Sequence, residues 1–240
     1  MTIYPPTPLA LLPGLLCDGA LWRHQIEGLS GLADCRVADF TSQSTIAAMA
    51  ESVLDRMPER FALAGLSMGG YVALEIMARQ PRRVARLALL DTRASPDTPD
   101  QARRRRGLIE LAEKGRFKGV TPRLLPLLIH PDRQAEETLP AAVMAMAERI
   151  GRDAFLRQQQ AILTRRDQRG RLGEIACPTL ILCGRQDALT PLEEHREMAD
   201  AIPDARLEVI EDCGHLAPME RPEAVTAILR DWLVGDRRSR

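Results

Sequence analysis

Ser67 stands in the pentapeptide Gly65-Leu66-Ser67-Met68-Gly69, after the apolar run Phe61-Ala62-Leu63-Ala64 and before Val72, Ala73, Ile76 and Met77 at helical spacing. A Gly-x-Ser-x-Gly segment alone is an ordinary turn. Between a strand and a helix, its glycines permit a tight reversal that projects the hydroxyl outward, which suits a nucleophile. A serine hydroxyl needs a base to take its proton and an acid to orient that base. His215, in Cys213-Gly214-His215, and Asp187, in Gly184-Arg185-Gln186-Asp187, each follow a late strand. The chemistry assigns His215 the Ser67 proton and its return to the leaving group, with Asp187 on the other ring nitrogen. Asp91, directly beyond Leu89-Leu90, is a rival acid at a strand end, or else the start of a turn ordering Thr92-Arg93.

The elements that must position these groups alternate. Ala10-Leu11-Leu12 reads as a strand interrupted by Pro13-Gly14, and Trp22, Ile26 and Leu29 follow at helical spacing. Cys35 to Phe40 is a second strand; Ile46, Met49, Ala50, Val53 and Leu54 form one face of the next helix, closed by Pro58. After the serine turn a helix runs from near Gly70 to Arg79-Gln80-Pro81, and Val84 to Leu90 is the next strand. Strand, helix, strand predicts a mostly parallel sheet covered by helices. Strands return at Thr179 to Cys183 and Arg206 to Ile210, with helices over Leu192 to Ala201 and from Pro222 through Val225, Ile228, Leu229 and Trp232. Between them the rhythm changes: Gln101 to about Arg166 is helical, with Phe155, Gln158 and Ile162 outlining one face. This reads as an insertion into one domain, giving a core over 1–94 and 174–240 and an insertion over 95–173.

The serine turn, the late Asp187 and the terminal His215 together resemble the α/β-hydrolase superfamily through almost the whole chain, and the order Ser67, Asp187, His215 is that family's order. The resemblance implies an α/β-hydrolase core with a mostly parallel sheet and a helical cap over the catalytic end. It implies an oxyanion site made by the backbone N–H groups of Met68 and Leu15. Pro13 stands where many related loops carry histidine. Members commonly have two strands before the first oxyanion loop, and only about a dozen residues precede Gly14 here. The expected sheet is therefore shortened at its N-terminal edge to about six strands. Related hydrolases also draw the acid from the neighbouring strand, which keeps Asp91 open beside Asp187.

Thirty-three basic residues balance thirty-three acidic ones, so no global attraction to nucleic acid follows, and Arg103 to Arg106 reads as a solvated helix face. No stretch approaches a membrane-spanning length and no leader pattern opens the chain, which makes cytoplasm the default expectation. Five scattered cysteines fit free or buried thiols, Cys213 among them, and neither they nor His130 form a metal-like cluster. Trp22 is expected in the core. The leading reaction is carboxylic ester hydrolysis through an acyl-Ser67 intermediate on a small-molecule substrate, which requires no metal, nucleotide or organic cofactor. Carbon–carbon bond hydrolysis, thioester hydrolysis, enol-lactone hydrolysis and noncatalytic small-molecule binding stay open beside it. Leu108, Leu111, Leu124 and Phe155 of the insertion are candidate substrate contacts, and Arg93 is a candidate partner for a carboxylated substrate or an ordinary ion pair. Oligomeric state is not legible in the chain.

Overall fold

The structure, a computed structural model, describes residues 5–235; the expected solvated tail Arg237 to Arg240 lies outside the described residues. Six strands form one sheet: β1 (Thr7–Leu12), β2 (Ala33–Val37), β3 (Phe61–Leu66), β4 (Val84–Leu90), β5 (Thr179–Gly184) and β6 (Ala205–Ile210). Their spatial order is β2-β1-β3-β4-β5-β6 and every neighbouring pair is parallel. A parallel sheet needs crossover segments, and here they cover both faces, so the central strands read as nearly continuous apolar runs.

Successive side chains of a strand point to opposite faces. Leu9 and Leu11 of β1 therefore join Ala62, Ala64, Ala88, Leu90, Leu180 and Leu182 on one side, while Ala10 and Leu12 join Leu63, Leu87, Leu89 and Ile181 on the other. The first side is closed by Trp22, by α1 (Arg23–Gly28) and by the C-terminal helix, whose Val225, Leu229 and Trp232 are buried there. The second is closed by α2 (Ile46–Arg56) and α3 (Met68–Arg79), through Met49, Val53, Val72 and Ile76. Each fully buried leucine contributes about 2 kcal/mol to this packing. The edge strand differs from expectation: β2 is Ala33–Val37 with alternating burial, and Phe40 is buried on the loop beyond it.

Between β4 and β5 come α4 (Pro99–Leu111), α5 (Leu125–Leu128) and α6 (Thr138–Leu163). The Thr98 hydroxyl accepts from the Gln101 N–H and the Gln101 side chain accepts from the Thr98 N–H, a reciprocal cap that starts α4. Gly151 breaks α6 with φ 75° and ψ 177°, a conformation open to glycine alone, so the helix is two rods set end to end. These helical insertions lie over the core. After β5 come α7 (Leu192–Ala201), then β6, α8 (Ala217–Glu220) and α9 (Pro222–Val234).

The chain leaves β1 for β2 on one side and returns to β3 on the other, so the strand order reverses between β1 and β3. Loops beyond the carboxyl ends of such a pair splay apart and leave a crevice. Register pairs Leu12 with Gly65, which brings the ends of both strands level. The helix after β3 starts at Met68 rather than near Gly70, since Gly69 and Gly70 are helical and serve close approach instead of turning.

A methyl group at Gly69 would fall on the Leu12 carbonyl, whereas one at Gly107, on α4, would meet nothing. Gly69→Ala should therefore destabilise the protein by about 2 kcal/mol, and Gly107→Ala should stabilise it by about 0.5–1 kcal/mol. Chemical denaturation midpoints measure both; equal midpoints for the two variants would show that the contact under the turn is slack.

Candidate active site

Ser67 occupies the single residue between β3 and α3, with φ 54° and ψ −115°, a backbone conformation rarely adopted by a residue with a side chain. Neighbours hold it there. Its N–H donates to the Leu90 carbonyl at 3.0 Å, and its carbonyl accepts from the Thr92 hydroxyl at 2.8 Å, so the end of β4 grips both sides of the serine. The side chain does not cap α3. It points instead at His215, whose Nε2 lies 2.9 Å from Ser67 Oγ.

His215 sits on the loop between β6 and α8 and is buried, with its Nδ1 2.8 Å from Asp187 Oδ2. Both the His215 and Leu216 N–H groups donate to the Leu128 carbonyl, at 3.1 and 3.2 Å, which pins the loop to the helical insertion. Asp187, on the loop after β5, accepts from the N–H groups of Leu189 at 2.8 Å and Thr190 at 3.0 Å and from the Thr190 hydroxyl at 2.5 Å. Burial alone would push this carboxyl up, but the His215 charge and the hydrogen bonds from His215 and Thr190 outweigh it and hold it below its ordinary value. Asp187 thus stays an anion in a place where anions are otherwise costly. Thr190 was not legible as part of the site, because its role depends on a turn closing back on Asp187.

Asp91 is held elsewhere. Its Oδ1 accepts from the Gly184 N–H at 2.8 Å and its Oδ2 from the Ala217 N–H at 3.4 Å, so it ties the end of β4 to the end of β5 and to α8. Its oxygens, Cys183 Sγ and a ring nitrogen of His195 lie within 4.8 Å of one another, the spacing of a small metal cage. Each is already committed to the protein. His195 accepts from the Thr92 N–H at 3.0 Å through Nε2 and lies 3.2 Å from the Pro191 carbonyl through Nδ1, so a neutral ring uses both nitrogens. Burial holds that ring below its ordinary value and raises the Cys183 thiol. A second buried acid, Glu220, accepts from the N–H groups of His130 at 2.6 Å, Gly214 at 2.9 Å and Leu216 at 3.3 Å, clamping the His215 loop from below.

The loop after β1 comes up beside the serine. A Cβ on Gly14 would lie 3.2 Å from Leu66 Cδ2 and 3.4 Å from Ser67 Cβ, so the loop runs in close contact with the serine turn. The N–H groups of Leu15 and of Met68, the first helical residue of α3, have no acceptor among the described residues. Above this loop, Leu16 packs with Ala112, Ala147 and Phe155, and Phe117, Val120 and Ile150 press against the same cluster. Of the expected insertion contacts, Phe155 packs against this loop. Leu124 is half-buried outside that cluster, and Leu108 and Leu111 are 40% and 45% exposed, on a helix that buries none of its residues. Arg93 is buried and ion-paired to Glu194 at 3.2 Å and Asp97 at 3.8 Å, the ordinary ion-pair reading of that residue. Trp22 is fully buried, and Cys213 is a buried free thiol raised by desolvation and by Asp91.

Burial, then the Asp187 charge, then Glu220 push Asp91 well above the usual carboxylate range, against the hydrogen bonds from Gly184 and Ala217. A carboxyl raised on folding contributes stability that is fully present below its unfolded pKa of about 3.9 and lost as pH rises through the folded pKa. Asp91→Asn removes that titration, keeps an acceptor for Gly184 and tolerates the φ of 44° at this position. Above about pH 4 the Tm of the unaltered chain should fall relative to that of the variant as pH rises, because only the unaltered chain carries the raised carboxyl. Parallel Tm curves would show that Asp91 carries no such burden.

Residues 7–222 match the family model described as the alpha/beta hydrolase fold. A thermophilic esterase from Thermogutta terrifontis is 32% identical, superposes with a TM-score of 0.85, and the match covers 95% of this chain and 89% of that one. The enol-lactonase from Burkholderia xenovorans LB400 shares the fold at 24% identity, with a TM-score of 0.80 over 97% of this chain and 93% of that one. In sequence, a pimeloyl-[acyl-carrier protein] methyl ester esterase from Aromatoleum aromaticum is 30% identical over 203 residues, 80% of this chain and 81% of the relative. With the elbow at Ser67, a hydrogen-bonded serine, histidine and aspartate, and a six-stranded parallel sheet beneath them, the chain belongs to the α/β-hydrolase fold family and is a serine-dependent hydrolase of the esterase type.

Proposed function

We propose that this chain hydrolyses carboxylic esters of small or medium size through an acyl-Ser67 intermediate. The observation that carries the reading is the unbroken hydrogen-bonded series from Ser67 Oγ through His215 to an Asp187 kept ionised. Ser67 Oγ attacks the ester carbonyl as His215 Nε2 takes its proton, and the resulting imidazolium is held by Asp187. The carbonyl oxygen becomes an oxyanion, and the N–H groups of Leu15 and Met68 are the donors for it, aided by the N-terminal end of α3. Collapse breaks the carbon–oxygen bond to the alcohol, which leaves with the proton from His215. Water then loses a proton to His215 and adds to the acyl carbon, a second tetrahedral stage forms, and Ser67 Oγ leaves with that proton to release the acid.

Residues 95–173 act as the cap in this reading, and the apolar cluster of Leu16, Ala112, Ala147 and Phe155 is its substrate-facing wall. The esterase likeness at 32% identity supports an ester over the other acyl groups, and an enol lactone, being a cyclic ester, would open by the same attack. Five unpaired cysteines suit a reducing compartment, and no helix among the described residues is long and apolar enough to cross a membrane; we place the enzyme in the cytoplasm. The even charge balance offers no global attraction to nucleic acid, and the partner in this reading is a small-molecule ester.

A fluorophosphonate should label Ser67 alone, as read by peptide mapping. Ser67→Ala and His215→Ala should lower kcat by about four to six orders of magnitude, and Asp187→Ala by about three to four. In a panel of simple esters, thioesters, enol lactones and dienoic diketone acids, the highest kcat/KM should fall on an ester. Turnover confined to the diketone acids would replace ester hydrolysis by carbon–carbon cleavage at the same serine, and an unlabelled Ser67 in folded protein would remove the mechanism.

A further inference from the structure

Leu16 has φ 60° and is buried, an arrangement that costs a residue with a Cβ about 1–2 kcal/mol. The reason lies in the turn that carries it. The Cys17 N–H donates to the Gly14 carbonyl at 3.1 Å, which makes Gly14-Leu15-Leu16-Cys17 a four-residue turn. Among its central residues only the second, Leu16, has positive φ, and that is the signature of a type II turn, where glycine is usual. A type I turn differs by a flip of the central peptide and would relieve Leu16 entirely. Some other group must therefore hold the central peptide as it is.

That group is Gln158, on the second rod of α6. Its Oε1 accepts from the Leu16 N–H, the N–H of the central peptide, at 3.0 Å. Its Nε2 donates to the Phe40 carbonyl at 3.2 Å, so the amide is used at both ends and is itself anchored to the core. Gln158 is 1% exposed, and its helix is further tied to this region by Arg157, which donates to the Thr41 carbonyl at 2.7 Å, and by Arg149, paired with Asp18 at 2.7 Å. A flipped turn would face Gln158 Oε1 with the Leu15 carbonyl, oxygen against oxygen, and leave a buried N–H unpaired; either costs more than the backbone strain it relieves. With Leu16 committed to Gln158, the free donor of the turn is Leu15.

We propose that Gln158 is a positioning residue for hydrolysis: by holding the Leu16 N–H it locks the Gly14–Cys17 turn in the type II form that presents the Leu15 N–H to the oxyanion. The inference rests on the reading of Leu15 as an oxyanion donor. Its consequence is that the insertion does more than cover substrate. Phe155, one helical turn before Gln158, packs on Leu16, so the helix that meets the substrate also sets the turn that stabilises its transition state.

The test compares Gln158→Met, which keeps length and helix propensity, with the unaltered chain on the best ester. Because an oxyanion donor acts only in the transition state, kcat should fall about 10- to 100-fold while KM stays within about twofold. Phosphonylation of Ser67 should slow in parallel. Glycine takes positive φ freely, so in the Leu16→Gly background the same Gln158→Met change should cost at least about tenfold less; a side chain that merely supported packing would give additive losses. If Gln158→Met does not fold, Gln158→Asn, whose amide is one methylene too short to reach the Leu16 N–H from the same helix, should show the same kcat-selective loss. Unchanged kcat in a folded variant, a loss confined to KM, or additive losses with Leu16→Gly would overturn the proposal. An unaltered chain that neither hydrolyses esters nor labels at Ser67 would instead overturn the functional reading beneath it.

Discussion

The backbone of Ser67 is bent into a conformation it would not choose, and the surrounding structure is arranged to keep it there. The bend needs β3 and α3 to meet at van der Waals distance under the serine, which is why Gly65 backs onto Gly69, Gly69 onto Leu12 and Gly70 onto Thr92. A sheet whose strands end level supplies fixed carbonyls for the remaining grip, Leu90 for the serine N–H and Leu182 for the Asp91 N–H. The strain is stored by a core of fully buried leucines on both faces, and a local bend of about 1–3 kcal/mol is small against that. The return is an unhindered hydroxyl that makes no local backbone bond and is free to meet an imidazole.

Three buried carboxylates then share the carboxyl end of the sheet, and their different partners separate their roles. Asp187 faces His215, the imidazole that touches Ser67, and it is held down; Asp91 and Glu220 face backbone N–H groups and are pushed up by burial. Backbone donors compensate part of the desolvation of the latter two but bring no full positive charge. Asp91 and Glu220 therefore fasten loops, and Asp187 stabilises an imidazolium. Placing Asp91 near Asp187 adds repulsion, which favours a protonated Asp91 over a second anion beside the one the imidazole needs.

Most of this was legible in the chain wherever a local pattern and a global need coincide. β4 at Val84–Leu90 and α7 at Leu192–Ala201 fall where the apolar pattern puts them, because both are bounded by clear changes of pattern and are packed on their apolar sides. The nucleophile turn is legible because the same residues are required by sterics and by chemistry. The edge strand β2 is displaced because only one sheet neighbour constrains it, and the aromatic Phe40 that marked it is buried from a loop. Leu108 and Leu111 show a related limit of spacing: an apolar pair at helical spacing announces a face, but not what covers it, and on α4 both side chains are exposed. Thr190 and Glu220 act through turns and loops closed by folding, so no spacing in the chain reveals them.

Gln158 is the instructive intermediate. It stands with Phe155 and Ile162 on what the spacing marks as one buried face, where an amide is the wrong residue for packing. A polar side chain on such a face must find partners or pay about 1–3 kcal/mol for each unmet group, and here a backbone N–H and a backbone carbonyl meet it. The identity of those groups, Phe40 and Leu16, depends on contacts 118 and 142 residues away along the chain. The insertion is bound to the core at the Leu128 carbonyl beneath His215 and at Gln158 beside the loop after β1. A helical insertion fixed at both of these loops cannot shift as a free lid without disturbing the histidine or the turn. The exposed α4 buries no residue of its own and is held instead by polar contacts, Arg105 pairing with Asp97 and reaching Gln159 of α6, the neighbour of Gln158.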